Sequence, residues 1–138
     1  AEIEERLLKF RDELTTYFVL DNLETLRKNG RLTGVKALVA STLSIKPVMG
    51  ATDEGSIHQL GQAIGIKKAI TKMADLIVKE VLNPEEKVLM ISHCNCLERA
   101  KSLQDLVCSK VTFKGVSILD TAGISSMYAN DGGVIVVV

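Results

Sequence analysis

The chain has 138 residues, of which 46% are hydrophobic and 25% charged, a composition that suits one folded domain and excludes a disordered segment. Lys plus Arg and Asp plus Glu number 17 each, so no net charge calls for nucleic acid or an anionic membrane surface. Aromatic residues make up 4% with no Trp, which disfavours a single-strand stacking platform, and no apolar run approaches the ~20 residues of a bilayer span.

The opening AEIEERLLKF is charged and amphipathic, unlike a secretory leader, and residues 2–14 read as a helix with Ile3, Leu7, Leu8 and Leu14 on one side. The chain starts at Ala1 rather than Met, as expected of a piece of a longer protein. Thr16 to Leu20 (TYFVL) is β-branched and aromatic and reads as a strand. Asp21 can cap a helix over 22–28, which Asn29-Gly30 ends. A second small helix is expected over 36–41. Leu43 to Met49 is strand-like, and Pro47, lacking an N–H, means that the strand is at a sheet edge or ends there. Asp53-Glu54-Gly55 is a turn leading into a strand over 56–63, so the two form a hairpin.

Ile66, Ile70, Met73, Ile77 and Val81 recur at steps of three and four, predicting a helix over 66–82 that Asn83-Pro84 terminates. Lys87 to Ile91 is a strand. A helix follows over 95–107, with Leu97, Ala100, Leu103 and Val107 inward. Thr112 to Leu119 is another strand, 120–133 is an irregular Gly-, Ser-, Asn- and Asp-rich stretch, and the all-apolar 134–138 reads as a central strand. Interleaved strands and helices with one hairpin make an α/β sandwich, a mixed sheet covered by the helices at 66–82 and 95–107.

The common catalytic motifs are absent from the sequence: no phosphate-binding Gly-Lys loop, GxSxG, HExxH or paired carboxylates. His58 reads as a surface strand residue. His93 follows a strand end, where α/β sheets tend to carry ligands, but has no nucleophile with an obvious partner. Three cysteines (Cys94, Cys96, Cys108) cannot all pair in one chain, so a reducing cytoplasm is expected. His93-Cys94-Asn95-Cys96 lacks the second ligand pair of a structural zinc site, so neither metal nor cofactor is implied. Lys28-Asn29-Gly30-Arg31-Leu32-Thr33-Gly34 is unusual. Glycines let the backbone approach a bound group, Arg31 can fork onto a carboxylate or phosphate, and Thr33 can cap a helix or donate to the same anion. A helix–helix turn with a surface Arg explains the same residues.

YFVLDNLETLRKNGRLTG (17–34), LSIKPVM (43–49), IKKAITKM (66–73), ISHCNCLERAKSL (91–103) and the glycine-rich segment before the last strand occur in the order found in one family. The chain resembles the DegV family of bacterial fatty-acid-binding proteins, specifically their C-terminal domain. The resemblance implies a fold shared with the substrate-binding part of dihydroxyacetone kinases. It also implies a preceding N-terminal domain, to which residues 1–14 form a lead-in helix, and a lipid-binding domain over 15–138. The implied ligand is a long-chain fatty acid, with its tail in a tunnel and its carboxylate at the boundary with the N-terminal domain. The implied role is a carrier that does no chemistry itself and presents the acid to a fatty acid kinase.

Carried over by position, the resemblance puts Arg31, Thr33, Ala129 and Asn130 at the carboxylate end. Leu38, Val39, Leu43, Ile45, Val48, Ile64, Ile66, Ile70, Met73 and the strand 134–138 become candidates for the tunnel wall, although a packed core wants the same residue types. Lys46 and Pro47 match an I-K-P strand of structural role. Two positions depart from the family. Ala129 stands where its H-x-G-P-G motif has a carboxylate-binding His, with Asp131 beside it, and Ile64 stands where an Arg implicated in kinase docking is frequent. Tail burial contributes ~0.8 kcal/mol per methylene, on the order of 12 kcal/mol for about fifteen, against roughly 1.5–3 kcal/mol for one charge-assisted hydrogen bond. The departures therefore bear on kinase coupling more than on lipid binding. Two other readings stay open: a kinase-like domain acting on a small hydroxy-ketone, and a regulatory or vestigial domain with a closed core.

Overall fold

The computed structural model describes residues 1–32 and 44–138. The helix expected over 36–41, with Thr33, Leu38, Val39 and Leu43, lies outside the described residues. In chain order the elements are α1 (Glu2–Glu13), β1 (Thr16–Val19), α2 (Glu24–Lys28), β2 (Ile45–Ala51), β3 (Ile57–Ile64), α3 (Ile66–Glu80), β4 (Val88–His93), α4 (Leu97–Cys108), β5 (Gly115–Asp120), α5 (Gly123–Ala129) and β6 (Val134–Val137). A single turn of 3-10 helix at Pro84–Glu86 follows α3.

The strands form one mixed sheet in the order β3-β2-β1-β6-β4-β5. Only β4 and β5 pair in parallel, and α4 makes the crossover such a pair requires. The apolar β6 inserts between β1 and β4, antiparallel to both, which is the central place its composition predicts. Thr52 N–H donates to Ser56 O at 2.8 Å and Gly55 adopts φ 79°, closing the expected hairpin.

Side chains alternate between the two faces of the sheet. On one face Tyr17, Val19, Val48, Leu89, Ile91, Val134 and Val136 pack against Ile70, Met73 and Ile77 of α3 and Ala100, Leu103 and Val107 of α4. On the other face Phe18, Leu20, Met49, Ile57 and Ile135 meet Leu26 of α2, Leu32, and Tyr128 and Ala129 of α5. The two helix stripes that cover the first face follow from periodicity alone.

Several expectations change. Pro47 lies in a strand with neighbours on both sides, not at the sheet edge. Its proline is tolerated because β1 pairs with β2 only through Tyr17↔Gly50 and Phe18↔Met49, so the Pro47 half of β2 has a strand on one side alone. Asp21 does not cap α2. Asn22 Oδ1 accepts the Glu24 N–H at 2.8 Å instead, and Asp21 binds Arg99. Leu97 is 44% exposed because it opens α4 before the buried stripe begins. The stretch 120–133 contains α5, whose helix the sequence does not announce. No residue of α1 is buried: its apolar side meets none of the described residues closely enough to be covered.

Candidate functional site

Among the described residues the second face is covered by helices of 5 and 7 residues, the first by helices of 15 and 12. The short helices leave a cavity of about 370 Å³ among the described residues, within the size range of small-molecule sites. Its wall is apolar: Phe18 of β1 and Leu20 just after it, Leu26 of α2, Ile57 of β3, Ile135 of β6 and Ala129 of α5. Three polar side chains complete it, Arg31 after α2 and Ser125 and Tyr128 one turn apart on α5.

Backbone geometry fixes those groups in place. Gly30 takes φ 69° and the Arg31 N–H donates to Leu26 O at 2.9 Å, so the chain leaves α2 in a tight turn that brings Arg31 to the cavity. Across the cavity, Asn130 holds φ 58° and its side chain ties α5 to α2. Thr25 Oγ1 donates to Asn130 Oδ1 at 3.2 Å, and Asn130 Nδ2 donates to Asn22 O at 3.2 Å and to Tyr128 O at 3.3 Å. Behind α5, Gly133 O accepts from Cys94 N–H at 2.9 Å and Gly132 N–H donates to Cys94 O at 2.8 Å, joining the glycine pair to the end of β4. Arg99 Nη1 donates to Asp21 Oδ2 at 2.8 Å and also to Gly132 O, and Lys46 Nζ donates to Asp21 O at 2.8 Å. Lys46 and Arg99 thus neutralise Asp21 and anchor the corner between β1 and α2.

The charges left at the cavity are unbalanced. Arg31 makes no ion pair and the Tyr128 hydroxyl no hydrogen bond among the described residues. Ser125 Oγ donates to Ala122 O at 2.6 Å, so its proton is used within its own helix turn. Asp131 does not line the cavity; its carboxylate accepts from Asn95 Nδ2 at 3.0 Å.

The structure brings Arg31 and Ala129 to one cavity and puts Asn130 in its frame rather than its lining. Ala129 is buried and forms wall. Several other described tunnel candidates lie elsewhere. Ile64 is 67% exposed, Ile66 packs half-buried on the first-face cluster, Ile70 and Met73 are buried inside it, and Ile45 is half-buried on β2. None of these lines the cavity. Ile66 and Ile70 line a separate cleft of about 510 Å³ between α3 and α4. Ile135, in the candidate strand 134–138, does line the cavity, whereas Phe18, Leu20, Leu26, Ile57 and Tyr128 are lining residues that the sequence reading did not name. The alternation of TYFVL could have signalled that Phe18 and Leu20 face away from α3.

His93 is spent on local structure rather than set up as a base. His93 is 5% exposed; its Nδ1 accepts the Cys96 N–H at 3.2 Å and its Nε2 lies 3.4 Å from Asp120 Oδ1. That leaves the proton on Nε2 and makes the ring a cap for the first turn of α4. Burial pushes the Cys96 and Cys108 thiols up, away from the thiolate a nucleophile requires. Among the described residues no three His, Cys, Asp or Glu side chains group as a metal site, and no helix is long and apolar enough to cross a membrane.

The model of the DegV family, described as uncharacterised, matches residues 1–138. A DegV domain-containing protein of Clostridium perfringens is 32% identical over 114 residues, 83% of this chain and 39% of its own length. The crystal structure of a DegV family protein from Ruminococcus gnavus, refined with vaccenic acid, superposes with a TM-score of 0.95 at 53% identity, covering 99% of this chain and 49% of that one. The fatty acid kinase B3 protein of Streptococcus pneumoniae, loaded with linoleic acid, gives 0.84 at 28% identity over 99% and 48%. A DegV family protein from Eubacterium eligens, loaded with heptadecanoic acid, gives 0.85 at 25% over 99% and 49%. The chain thus spans about half the length of the proteins it matches. With its whole described length matched in order and fold, the chain belongs to the DegV family.

Proposed function

We propose that this domain binds a long-chain fatty acid, with the alkyl tail in the cavity of the second face and the carboxylate at Arg31. One observation carries the reading: an apolar cavity of about 370 Å³ bordered by a guanidinium that has no counter-ion among the described residues. Such a site asks for a ligand that is hydrocarbon over most of its length and anionic at one end. Relatives crystallised with vaccenic, heptadecanoic and linoleic acid support that class. Thr33, Leu38, Val39 and Leu43 belong to the segment that follows Arg31 in sequence and remain candidates for the same site.

Because the chain matches half of longer proteins, the remaining part of the head-group site is assigned to a preceding domain, reached through α1. The role that follows is that of a carrier, acting in the cytoplasm and handing the acid to a fatty acid kinase. Similarity to the kinase B3 protein supports this role, and Ile64, 67% exposed, is where docking would be altered. The test is denaturing mass spectrometry of an organic extract of the purified protein, followed by palmitate titration of the delipidated chain. Co-purified acyl chains or saturable palmitate binding, lost in Leu26→Trp, support the reading. A clean extract with no saturable binding removes it in favour of a closed domain.

A further inference from the structure

We propose that Tyr128 is the second head-group residue of this cavity and that it makes the site select free acids over uncharged lipids of the same length. The inference rests on the fatty-acid reading above. Of the three polar side chains at the cavity, Ser125 spends its proton on Ala122 O at 2.6 Å. Arg31 and Tyr128 are left with donors unspent among the described residues. Both line the cavity, Arg31 beyond the end of α2 and Tyr128 near the end of α5. Asn130 latches those helices together through Thr25 Oγ1 at 3.2 Å and Asn22 O at 3.2 Å. The Tyr128 ring packs against the second-face cluster, which limits its motion and leaves the hydroxyl as the free end.

A carboxylate has two oxygens. Arg31 can take one or both, and a phenol from α5 supplies a donor that a guanidinium alone does not. An alcohol or ester head group gains less, since a hydrogen bond to a charged acceptor is roughly twice as strong as one to a neutral acceptor. Ala129, aligned with the head-group position by sequence, has no donor and is buried as wall, so its neighbour on the same turn carries the function.

The experiment compares palmitate with hexadecan-1-ol on the wild-type chain and on Tyr128→Phe. The ring is kept, so packing is kept. Loss of the hydroxyl lowers palmitate affinity roughly ten- to hundred-fold and leaves hexadecan-1-ol within about two-fold. Unchanged palmitate affinity, or equal weakening of both ligands, overturns the role of the hydroxyl while leaving the fatty-acid reading intact. A wild-type chain that binds neither ligand overturns both.

Discussion

Gly132 adopts φ 88°, and a Cβ there would collide with the Asp21 carboxylate and lie 2.8 Å from Arg99 Nη1. Neither atom can retreat freely, because they hold each other at 2.8 Å. Gly132→Ala therefore combines a left-handed strain of about 1–3 kcal/mol with disruption of an ion pair. The expected loss is about 3 kcal/mol, read as a lowered chemical-denaturation midpoint at unchanged slope. Tyr17 makes a second residue-scale case. Its hydroxyl donates to Glu80 Oε2 at 2.7 Å from a nearly fully buried ring, and burial, reinforced by the Glu80 carboxylate, pushes its ionisation well above the ordinary range. An unfolded tyrosine ionises near about pH 10. Below that pH both states keep the proton and the contribution is fully present. As pH rises past it the unfolded chain releases its proton first, so the folded state loses stability. Tyr17→Phe should cost about 1 kcal/mol at neutral pH and flatten the alkaline decline in melting temperature between roughly pH 10 and 11.

At the scale of elements, α5 and α1 behave oppositely. The helix α5 is 7 residues long and holds Gly123, Ser125 and Ser126, poor helix formers that predict a loop. It forms because tertiary contacts supply what propensity lacks: Thr121 Oγ1 and Ser126 Oγ bond at 2.8 Å, and Asn130 closes its end onto α2. Asn130 sits at φ 58° and ψ 172°, a region that glycine tolerates and alanine does not. Asn130→Ala loses both the latch and the backbone tolerance, and Asn130→Gly only the latch. The alanine variant should be less stable by about 1–2 kcal/mol, measured by thermal unfolding of the pair. By contrast α1 follows a clean amphipathic pattern that the sequence makes plain, yet Ile3 is 75% and Leu7 62% exposed. Leu7→Asp should leave the melting temperature of this chain within about 1 °C of wild type, the small effect expected of a surface substitution. A drop of several degrees would mean that α1 folds onto the body of the domain in solution. The pattern reports that a face is apolar; only the tertiary structure reports whether anything covers it. The same limit explains Pro47, where local chemistry required a missing ladder partner and the sheet supplied one by ending the β1 ladder early.

At the scale of the molecule, the described residues form one sheet with two long helices over one face and a cavity on the other, and the two faces ask different things of the same residue types. Strand alternation and the α3 stripe gave the layers, the sheet's central strand and most of the core, because burial leaves a periodic trace. A void leaves none. Ile70 and Ile57 are indistinguishable as isoleucines, and the face each one occupies decides that one is core and the other cavity wall. That asymmetry is testable by substituting one residue on each face. Met73, fully buried under α3, should lose about 2–5 kcal/mol as Met73→Ala and keep its palmitate affinity once folded, since no part of it reaches the cavity. Ile57→Trp, on the edge strand and facing the cavity, should do the reverse. The indole occupies space that is already empty, so stability holds or rises, while the tail is displaced and palmitate affinity falls by more than ten-fold. If Ile57→Trp instead unfolds the domain, or if Met73→Ala abolishes binding while remaining folded, the acyl chain lies under α3 and the hollow face is only an imperfectly closed core.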